Sequence, residues 1–296
     1  MENADRFFAY ARARYELMQT REHDEALTDG AGAPWTTDPI LAAYRFCNVF
    51  REDDRVTRWF KENLRDPLGQ DGPRQFLAAV VFRWFNKIET GELLKPLLLG
   101  TWDTEQARRL LKARVASGQT ILGAAYMIKS PPGLDKVDGL LQCIDPIAQE
   151  VGHLAYHIDP GETELQGVHD CLKEYPYLGA FMAYEIVTDL RHTFLLDQAP
   201  DIMTWASAGP GAARGLCRVK GLPLGTLRYQ GPRDQQTLIA GMRCLLALSN
   251  DPAHWPVDWP RWEMRDVEHT LCEFDKYERA RLGEGTPKQR FQPRKG

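Results

Sequence analysis

The sequence predicts an all-α protein, and three observations support this prediction. Apolar residues recur at three- and four-residue intervals through most of the 296 residues, which is the period of an amphipathic helix. Residues typical of helix N-caps precede several of these stretches, and Gly and Pro are concentrated between them. Runs typical of β-strands are almost absent, so no sheet is expected to organise the fold.

The predicted helices follow one another along the chain with clear start signals. Asp38 followed by Pro39 indicates an N-cap with proline at the first helical position, and the apolar stripe after it continues to Val49. Asp103 and Gln106 form a capping pair ahead of another helix. Gly209-Pro210-Gly211 opens a further one. The remaining helices are predicted over 53–64, 74–88, 134–157, 162–174, 180–192, 234–249 and 263–282.

Composition and charge restrict the class of protein. With 43% hydrophobic and 26% charged residues, the chain is neither disordered, collagen-like nor a disulfide-rich miniprotein. We expect one helical domain over 1–282, with two lobes that meet near 130–133, and a basic tail over 283–296. The net charge of −4 divides into +5 for residues 276–296 and −9 for the rest. This balance argues against a protein that coats nucleic acid but permits a local basic site.

Cysteine usage and hydropathy indicate where the protein works. The six cysteines are widely spaced and contain no C-x-x-C pair, so we interpret them as free thiols in a reducing compartment. No apolar run approaches the roughly 20 residues of a membrane span. We therefore expect a cytoplasmic protein with no membrane partner.

Two negative observations narrow the chemistry. His153 and His157 stand one helical turn apart and precede His169 and Cys171, but this set lacks the tight spacing of a metal site, so no metal is expected. The phosphate-binding motif G-x-x-x-x-G-K-[ST] is absent. The chain is therefore not a P-loop nucleotide kinase.

The densest polar stretch lies over 45–59. Arg45, Asn48 and Arg51 fall on one side of a predicted helix, where guanidinium and amide groups suit a phosphate or carboxylate. An alternative is an exposed surface on which acidic neighbours neutralise the arginines, although interleaved aromatic residues favour partial burial. The candidates for anion binding and base stacking in and before this stretch are Trp35, Arg45, Asn48, Arg51, Asp53, Arg55 and Arg58.

A second group of candidates surrounds a predicted helical hairpin. A helix, a tight turn through Tyr177 and Gly179, and another helix would direct backbone N–H groups toward a DNA phosphate. This arrangement resembles the helix-hairpin-helix element of base-flipping DNA glycosylases, and Asp197 and Asp201 follow at about the distance of their catalytic aspartate. Asp201 is the catalytic candidate. The implied fold is two-lobed, helical and glycosylase-like. An ordinary corner in a helical bundle is the alternative.

A third group combines a helix start with the last predicted helix. Gly209 and Gly211 flank a proline at a helix N-terminus, where backbone amides form a candidate anion nest with Arg214 one turn inside. On the last helix, Arg265, Glu268 or His269, Cys272 and Lys276 recur at three- and four-residue steps. Carboxylate, imidazole and ammonium groups could therefore meet on one side as candidate acid–base residues. They are Glu268, His269 and Lys276.

Taken together, the motifs resemble the α-glutamyl/putrescinyl thymine pyrophosphorylase family of bacteriophages, which also appears as the helical domain of 5-hydroxymethyluracil DNA kinases. The resemblance covers about residues 14–291 and is carried by Pro34-Trp35-Thr36, Asp38-Pro39-Ile40-Leu41, Arg45-Phe46-Cys47-Asn48-Val49, Arg51-Glu52-Asp53-Asp54-Arg55-Val56-Thr57-Arg58-Trp59, Gly209-Pro210-Gly211, Gly215-Leu216, Glu268-His269 and Glu273-Phe274-Asp275-Lys276-Tyr277.

This resemblance implies a transferase that modifies DNA. A kinase first pyrophosphorylates 5-hydroxymethyluracil in double-stranded DNA, and an amino acid or polyamine then displaces the pyrophosphate. The arginines and the Gly-Pro-Gly nest would stabilise the leaving group, and Asp201, Glu268 or His269 would accept the proton of the amine. Trp35 or Trp59 would stack on a flipped base. No cofactor is expected, with Mg2+ as an alternative source of charge stabilisation.

Two other functions remain open. A glycosylase-like enzyme would excise a modified base and leave abasic sites. A non-catalytic DNA-binding partner of a 5-hydroxymethyluracil DNA kinase would bind DNA in a salt-sensitive manner without chemistry.

Overall fold

The computed structural model describes residues 1–27, 35–124 and 128–291. Regular structure in these residues is helical, and they contain no β-strand, only one isolated antiparallel bridge between Tyr44 and Arg290. The all-α prediction is confirmed. None of the described helices is both long and apolar enough to cross a lipid bilayer.

Thirteen α-helical stretches follow one another in these described ranges, together with a 3-10 turn at Arg51–Asp53 and a π-helical turn at Lys61–Arg65. They are α1 (Ala4–Leu27), α2 (Pro39–Ala43), α3 (Arg55–Phe60), α4 (Asp66–Leu68), α5 (Gly72–Phe85), α6 (Ile88–Leu99), α7 (Thr104–Ala116), α8 (Lys136–Tyr156), α9 (Leu165–Lys173), α10 (Gly179–Leu190), α11 (Pro210–Lys220), α12 (Pro232–Leu248) and α13 (Met264–Arg281).

The chain divides into two compact units. The first combines both ends of the chain, Met1–Asp54 and Met203–Gly296, and the second is the continuous stretch Arg55–Ile202. Residues 130–133, near which the sequence suggests a boundary between lobes, lie inside the second unit.

In the first unit, α13 packs against α1, α11 and α12. Phe274 of α13 and Phe7 of α1 are fully buried, with ring centroids 5.5 Å apart. The contact between α11 and α13 is close because Gly215 faces the backbone of α13. A Cβ atom at this position would lie 2.2 Å from the carbonyl oxygen of Leu271. Only glycine permits this approach of the two helices.

In the second unit, α5 is the central helix and packs against α6, α8 and α10. Its residues from 75 to 85 are all buried. Arg83 lies among them and donates two hydrogen bonds of 2.7 Å to the carboxylate of Asp189 on α10. A third, of 2.9 Å, goes to the side chain of Asn86, which ends α5 in the left-handed conformation. The buried charge is therefore matched by a buried countercharge.

The predicted helix boundaries agree best where a local capping signal exists. Asp103 caps α7 by accepting a hydrogen bond of 2.9 Å from the N–H of Gln106, as the sequence predicts. Asp38 also caps α2 as predicted, but that helix ends at Ala43 and does not continue to Val49. Three of the described helices, α1, α6 and the three-residue α4, are absent from the sequence-based prediction.

Candidate functional site

Residues 44–54, here called the arginine loop, follow α2 in extended and turn conformations. The N–H of Arg45 donates to the carbonyl of Gln289 at 3.0 Å, so the backbone is drawn into an extended pairing with the C-terminal segment. Arg45, Asn48 and Arg51 therefore do not share a helix face, and that prediction is wrong. Arg45 is exposed, whereas Arg51 is buried in the 3-10 turn.

Part of the predicted basic tail over 283–296 takes part in the same backbone pairing. The N–H of Phe291 donates to the carbonyl of Ala43 at 3.0 Å. Residues 289–291 of this tail therefore pair through backbone hydrogen bonds with the end of α2 and the start of the arginine loop. Residues 292–296 lie outside the described part of the chain.

The conformation of the arginine loop is stabilised by hydrogen bonds between its own residues and by hydrogen bonds from α1. The buried guanidinium of Arg14 donates to the carbonyl of Phe46 at 3.1 Å and also to the side-chain oxygen of Asn48. The amide group of Asn48 donates to the carbonyl of Asp53 at 2.9 Å, and its backbone N–H donates to the Asp54 carboxylate at 3.3 Å. Asn48 thus joins both arms of the loop, which is a structural role for this predicted anion-binding residue.

One face of α13 lies against the arginine loop. Glu273 accepts a hydrogen bond of 2.9 Å from the N–H of Cys47, a residue 226 positions away in sequence. Lys276 forms an ion pair of 2.7 Å with Glu273 and lies 5.0 Å from the ring centroid of Phe46. Because residues four apart stack on one side of a helix, His269 lies on the same face as Glu273.

Three potential ligand groups meet where the loop contacts α13. The Cys47 sulfur, a carboxylate oxygen of Asp54 and a ring nitrogen of His269 all lie within 4.8 Å of one another. Asp54 and His269 are half-buried. Desolvation raises the pKa of the Cys47 thiol, and the Glu273 carboxylate adds to the increase. Desolvation likewise raises the pKa of Asp54. A thiol with a raised pKa is a poor nucleophile at neutral pH, so we do not assign Cys47 to covalent catalysis.

Glu268 connects α13 to the N-terminus of α11. Its buried carboxylate pairs with Arg265 at 2.6 Å and accepts a long hydrogen bond of 3.5 Å from the N–H of Gly209. The Glu268 carboxylate thus occupies the N-terminus of α11, where the sequence predicts a bound external anion. Gly211 faces Cys272, whose sulfur would lie 2.8 Å from an added Cβ atom, so this glycine permits helix packing.

Arg214 of α11 forms an ion pair with Asp275 of α13. Its Nε and the Nε of Arg218 lie 2.8 Å from the two carboxylate oxygens of the buried Asp275.

Trp35, a predicted base-stacking residue, packs within the first unit. Its ring lies edge-on to that of Phe291, with centroids 5.9 Å apart.

The other predicted site residues lie in the second unit. Arg55 is exposed at the start of α3, and Arg58 is half-buried in the same helix. Tyr177 and Gly179, both with left-handed backbone conformations, form the turn between α9 and α10. Asp201 accepts hydrogen bonds of 2.7 and 2.9 Å from the first two N–H groups of α9.

The position of Asp201 predicts a loss of stability on truncation. Asp201→Ala leaves two N–H groups at the start of α9 without their carboxylate, so we expect the free energy of unfolding to fall by about 1–2 kcal/mol. Urea denaturation followed by circular dichroism measures this change. Substitution of the exposed Asp197 by alanine is the control and should have little effect. An unchanged stability of Asp201→Ala would contradict the capping role.

The sequence-based reasoning missed Cys47, Asp54 and Glu273 as parts of one site. No metal-ligand spacing links Cys47 to Asp54, and their partners on α13 are supplied from the opposite end of the chain. The available signal was the three- and four-residue spacing of His269, Glu273 and Lys276, which predicts one face of α13 but not what covers it.

Comparisons with known proteins agree on one relationship. The family model described as 5-hmdU DNA kinase, helical domain, matches residues 1–286. The 5-hmdU DNA kinase of Bacillus phage SP10 is 27% identical over 207 residues, which is 63% of this chain and 32% of that protein. The chain thus spans about a third of the length of this relative. No solved structure matches the chain.

Proposed function

The chain belongs to the family of the 5-hmdU DNA kinase helical domain, and from this membership we propose that it modifies thymine bases in phage DNA. The proposed reaction displaces pyrophosphate from 5-pyrophosphomethyluracil with an amine. A C–N bond forms at the exocyclic methylene carbon, the C–O bond to pyrophosphate breaks, and a protein group accepts the proton that the amine loses. The substrates are double-stranded DNA and an amino acid or polyamine.

The observation that carries this proposal is the extent of the family match. It covers residues 1–286 and therefore both units and every candidate site residue. The relative from phage SP10 is named for kinase activity on 5-hmdU in DNA. Pyrophosphorylated 5-hydroxymethyluracil is a chemically reasonable product of successive phosphoryl transfers to that base, and its pyrophosphate is a good leaving group for an amine.

Arg51 is our candidate for stabilising the pyrophosphate as it departs. Its guanidinium is always charged and presents several N–H donors in a plane, which suits phosphate oxygens. The 3-10 turn that carries it is held by the hydrogen bonds of Asn48 to Asp53 and Asp54. A donor fixed before the reaction stabilises developing charge without a reorganisation penalty.

Glu268 is our candidate for accepting the proton of the amine. Its carboxylate is buried and fixed by Arg265 and by the N-terminus of α11. His269, the next residue, is the alternative acceptor. A fixed carboxylate next to the reacting amine meets the requirement of general base catalysis that the base lie within hydrogen-bonding reach.

We further propose that the hairpin between α9 and α10 contacts the DNA backbone. Tyr177 is exposed, and no atom lies within 4 Å of the position that a Cβ atom of Gly179 would occupy. The N-terminal N–H groups of α10 are a suitable binding site for a phosphate. In this respect the second unit would work as a helix-hairpin-helix module of the glycosylase type.

The direct test supplies the proposed substrates. Duplex DNA that contains 5-pyrophosphomethyluracil is incubated with the full chain and a pool of amino acids and polyamines, and nucleosides are analysed by mass spectrometry. We expect an aminated thymidine and an equal amount of released pyrophosphate. If neither product forms with any amine, the proposed transferase activity is wrong, and abasic sites would indicate a glycosylase instead.

Two substitutions test the assigned roles in that assay. Removal of a preorganised charge-stabilising donor typically lowers the rate about 100- to 1,000-fold, which we expect for Arg51→Ala. Glu268→Gln keeps an oxygen acceptor for Gly209 but is a much weaker base, so we expect it to lower turnover at an unchanged pyrophosphate stoichiometry. Arg109→Ala removes an exposed arginine and is the matched control. Full activity of Arg51→Ala would remove this residue from the site.

A second candidate function is that of a DNA-binding partner for a separate 5-hmdU DNA kinase. The observation that favours it is that the similar region makes up only 32% of the kinase from phage SP10, so this region accompanies other sequence in that protein. The partner function predicts salt-dependent DNA binding and no release of pyrophosphate, so the same assay separates the two candidates.

A further inference from the structure

The first unit contains a group of three side chains, of which the proposed reaction uses only His269, as the alternative proton acceptor, and gives Cys47 and Asp54 no role. We propose that Cys47, Asp54 and His269 bind one divalent transition-metal ion of the zinc class. Their sulfur, oxygen and nitrogen atoms already lie within 4.8 Å of one another. The inference depends on these residues alone and does not require the proposed transferase activity.

The distances fit a site that closes around an ion. Zinc binds sulfur at about 2.3 Å and imidazole nitrogen or carboxylate oxygen at about 2.0–2.2 Å, so tetrahedral ligand atoms lie roughly 3–4 Å apart. The observed spacing of up to 4.8 Å needs only small side-chain rotations to reach that arrangement. A thiolate and a carboxylate together carry two negative charges, which match the charge of a divalent cation, and the imidazole binds as a neutral ligand.

The surroundings hold the ligand residues in place. Glu273 accepts the N–H of Cys47 at 2.9 Å, and it lies one turn after His269 on α13. The Asp54 carboxylate accepts the N–H of Asn48 at 3.3 Å. Arg14 anchors the same loop through Asn48. Contacts that orient the residues around a metal raise its affinity, and their loss typically lowers affinity about 10- to 100-fold.

The ligand types select the metal. Mg2+ and Ca2+ prefer oxygen ligands, whereas a set of one thiolate, one imidazole and one carboxylate favours Zn2+ and similar borderline ions. Three protein ligands leave a fourth tetrahedral position for water or a substrate oxygen, as in catalytic rather than structural zinc sites. No metal is expected from the sequence, because the set that stands out there, His153, His157, His169 and Cys171, lacks the spacing of a metal site.

Zinc binding by the full chain tests the proposal. The protein is stripped with a chelator, and Zn2+ binding is measured by isothermal titration calorimetry and by metal analysis after dialysis. We expect one bound ion per chain, and at least a tenfold weaker affinity for Cys47→Ser and His269→Asn. Circular dichroism establishes that each variant is folded, and Asp54→Asn provides a third, independent ligand variant.

The control addresses the other close pair of imidazoles. His153 of α8 and His157, which directly follows that helix, have ring centroids 4.2 Å apart and offer an alternative place for zinc. The double variant His153→Asn/His157→Asn should retain one tightly bound ion. If it loses that ion, or if the unaltered protein binds none, the proposal is wrong.

Cobalt substitution identifies the ligand atoms without reference to activity. Co2+ bound to a thiolate has an intense charge-transfer absorption in the near ultraviolet, and Co2+ bound only to oxygen and nitrogen does not. We expect this band in the unaltered protein and in Cys171→Ser, which replaces an exposed cysteine, and its loss in Cys47→Ser. Absence of the band from the unaltered protein would overturn the assignment of Cys47.

Discussion

Substitution of Gly215 by alanine is expected to lower the free energy of unfolding of the first unit by at least about 3 kcal/mol. Overpacking in a well-packed core typically costs about 1–3 kcal/mol when side chains can adjust. Here the added Cβ atom would lie 2.2 Å from the backbone oxygen of Leu271 and 2.8 Å from its carbonyl carbon. Backbone atoms cannot rotate away, so α11 and α13 must separate and uncover their shared core.

Urea denaturation monitored by circular dichroism and tryptophan fluorescence measures this effect. The matched control is Gly152→Ala, since Gly152 is also helical but exposed and has no atom within 4 Å of its added Cβ atom. Alanine favours a helix over glycine by about 0.5–1 kcal/mol, so this control should be slightly stabilising. Equal behaviour of the two variants would show that the close approach of α11 and α13 is not important for stability.

Arg83→Met is expected to destabilise the second unit by about 3–5 kcal/mol, the usual cost of removing one partner of a buried ion pair. Arg83 and Asp189 are 2% and 0% exposed, and the carboxylate would lose both of its hydrogen bonds from the guanidinium. Methionine has nearly the volume of arginine, so little volume is lost and the effect reports mainly on charge.

A double-mutant cycle isolates the ion pair. Replacement of both partners, in Arg83→Met/Asp189→Leu, removes the buried carboxylate as well and should recover part of the lost stability. Arg109→Met, which changes an exposed arginine of α7, should change the stability by less than about 0.5 kcal/mol. If Arg83→Met unfolds at the same urea concentration as the unaltered protein, this ion pair does not stabilise the unit.

Helices with local start signals could be predicted from the sequence, because a cap is a contact between near neighbours. Asp103 and Asp38 illustrate this, since each accepts hydrogen bonds from N–H groups two or three residues later. The end of α2 could not be predicted in this way. It depends on the pairing of Arg45 with Gln289, which no local pattern describes.

Of the helices that were not predicted, α1 carries clear local signals and α6 does not. In α1, Phe7, Ala11 and Tyr15 are buried at a four-residue spacing, and Asn3, a residue typical of N-caps, stands directly before the helix. Both the helical period and the start of α1 could therefore have been predicted. In α6, Gly91 and Pro96 suggest a break. Gly91 is explained by packing, because a Cβ atom there would lie 2.4 Å from the ring of Trp59.

In the candidate site, too, the features that depend on local spacing could be predicted and those that depend on tertiary contacts could not. The face of α13 with His269, Glu273 and Lys276 follows from helical spacing and could be predicted. The meeting of Cys47 with His269 could not, because it requires the tertiary contact of the arginine loop with α13. Asn48 was predicted to bind an anion, but in the structure it joins the two arms of the arginine loop. Its hydrogen bonds depend on the conformation of that loop, which the sequence pattern does not describe.

The discontinuous first unit has a consequence for the order in which the protein folds during its synthesis. The second unit is one continuous stretch and can fold as soon as it leaves the ribosome, whereas α1 must wait for α11 and α13. At about 5–20 residues per second, that delay is on the order of 10–50 s. Throughout it, Phe7 and Phe8, which are fully buried in the finished protein, lack their main partners. Aggregation during expression should therefore begin at α1.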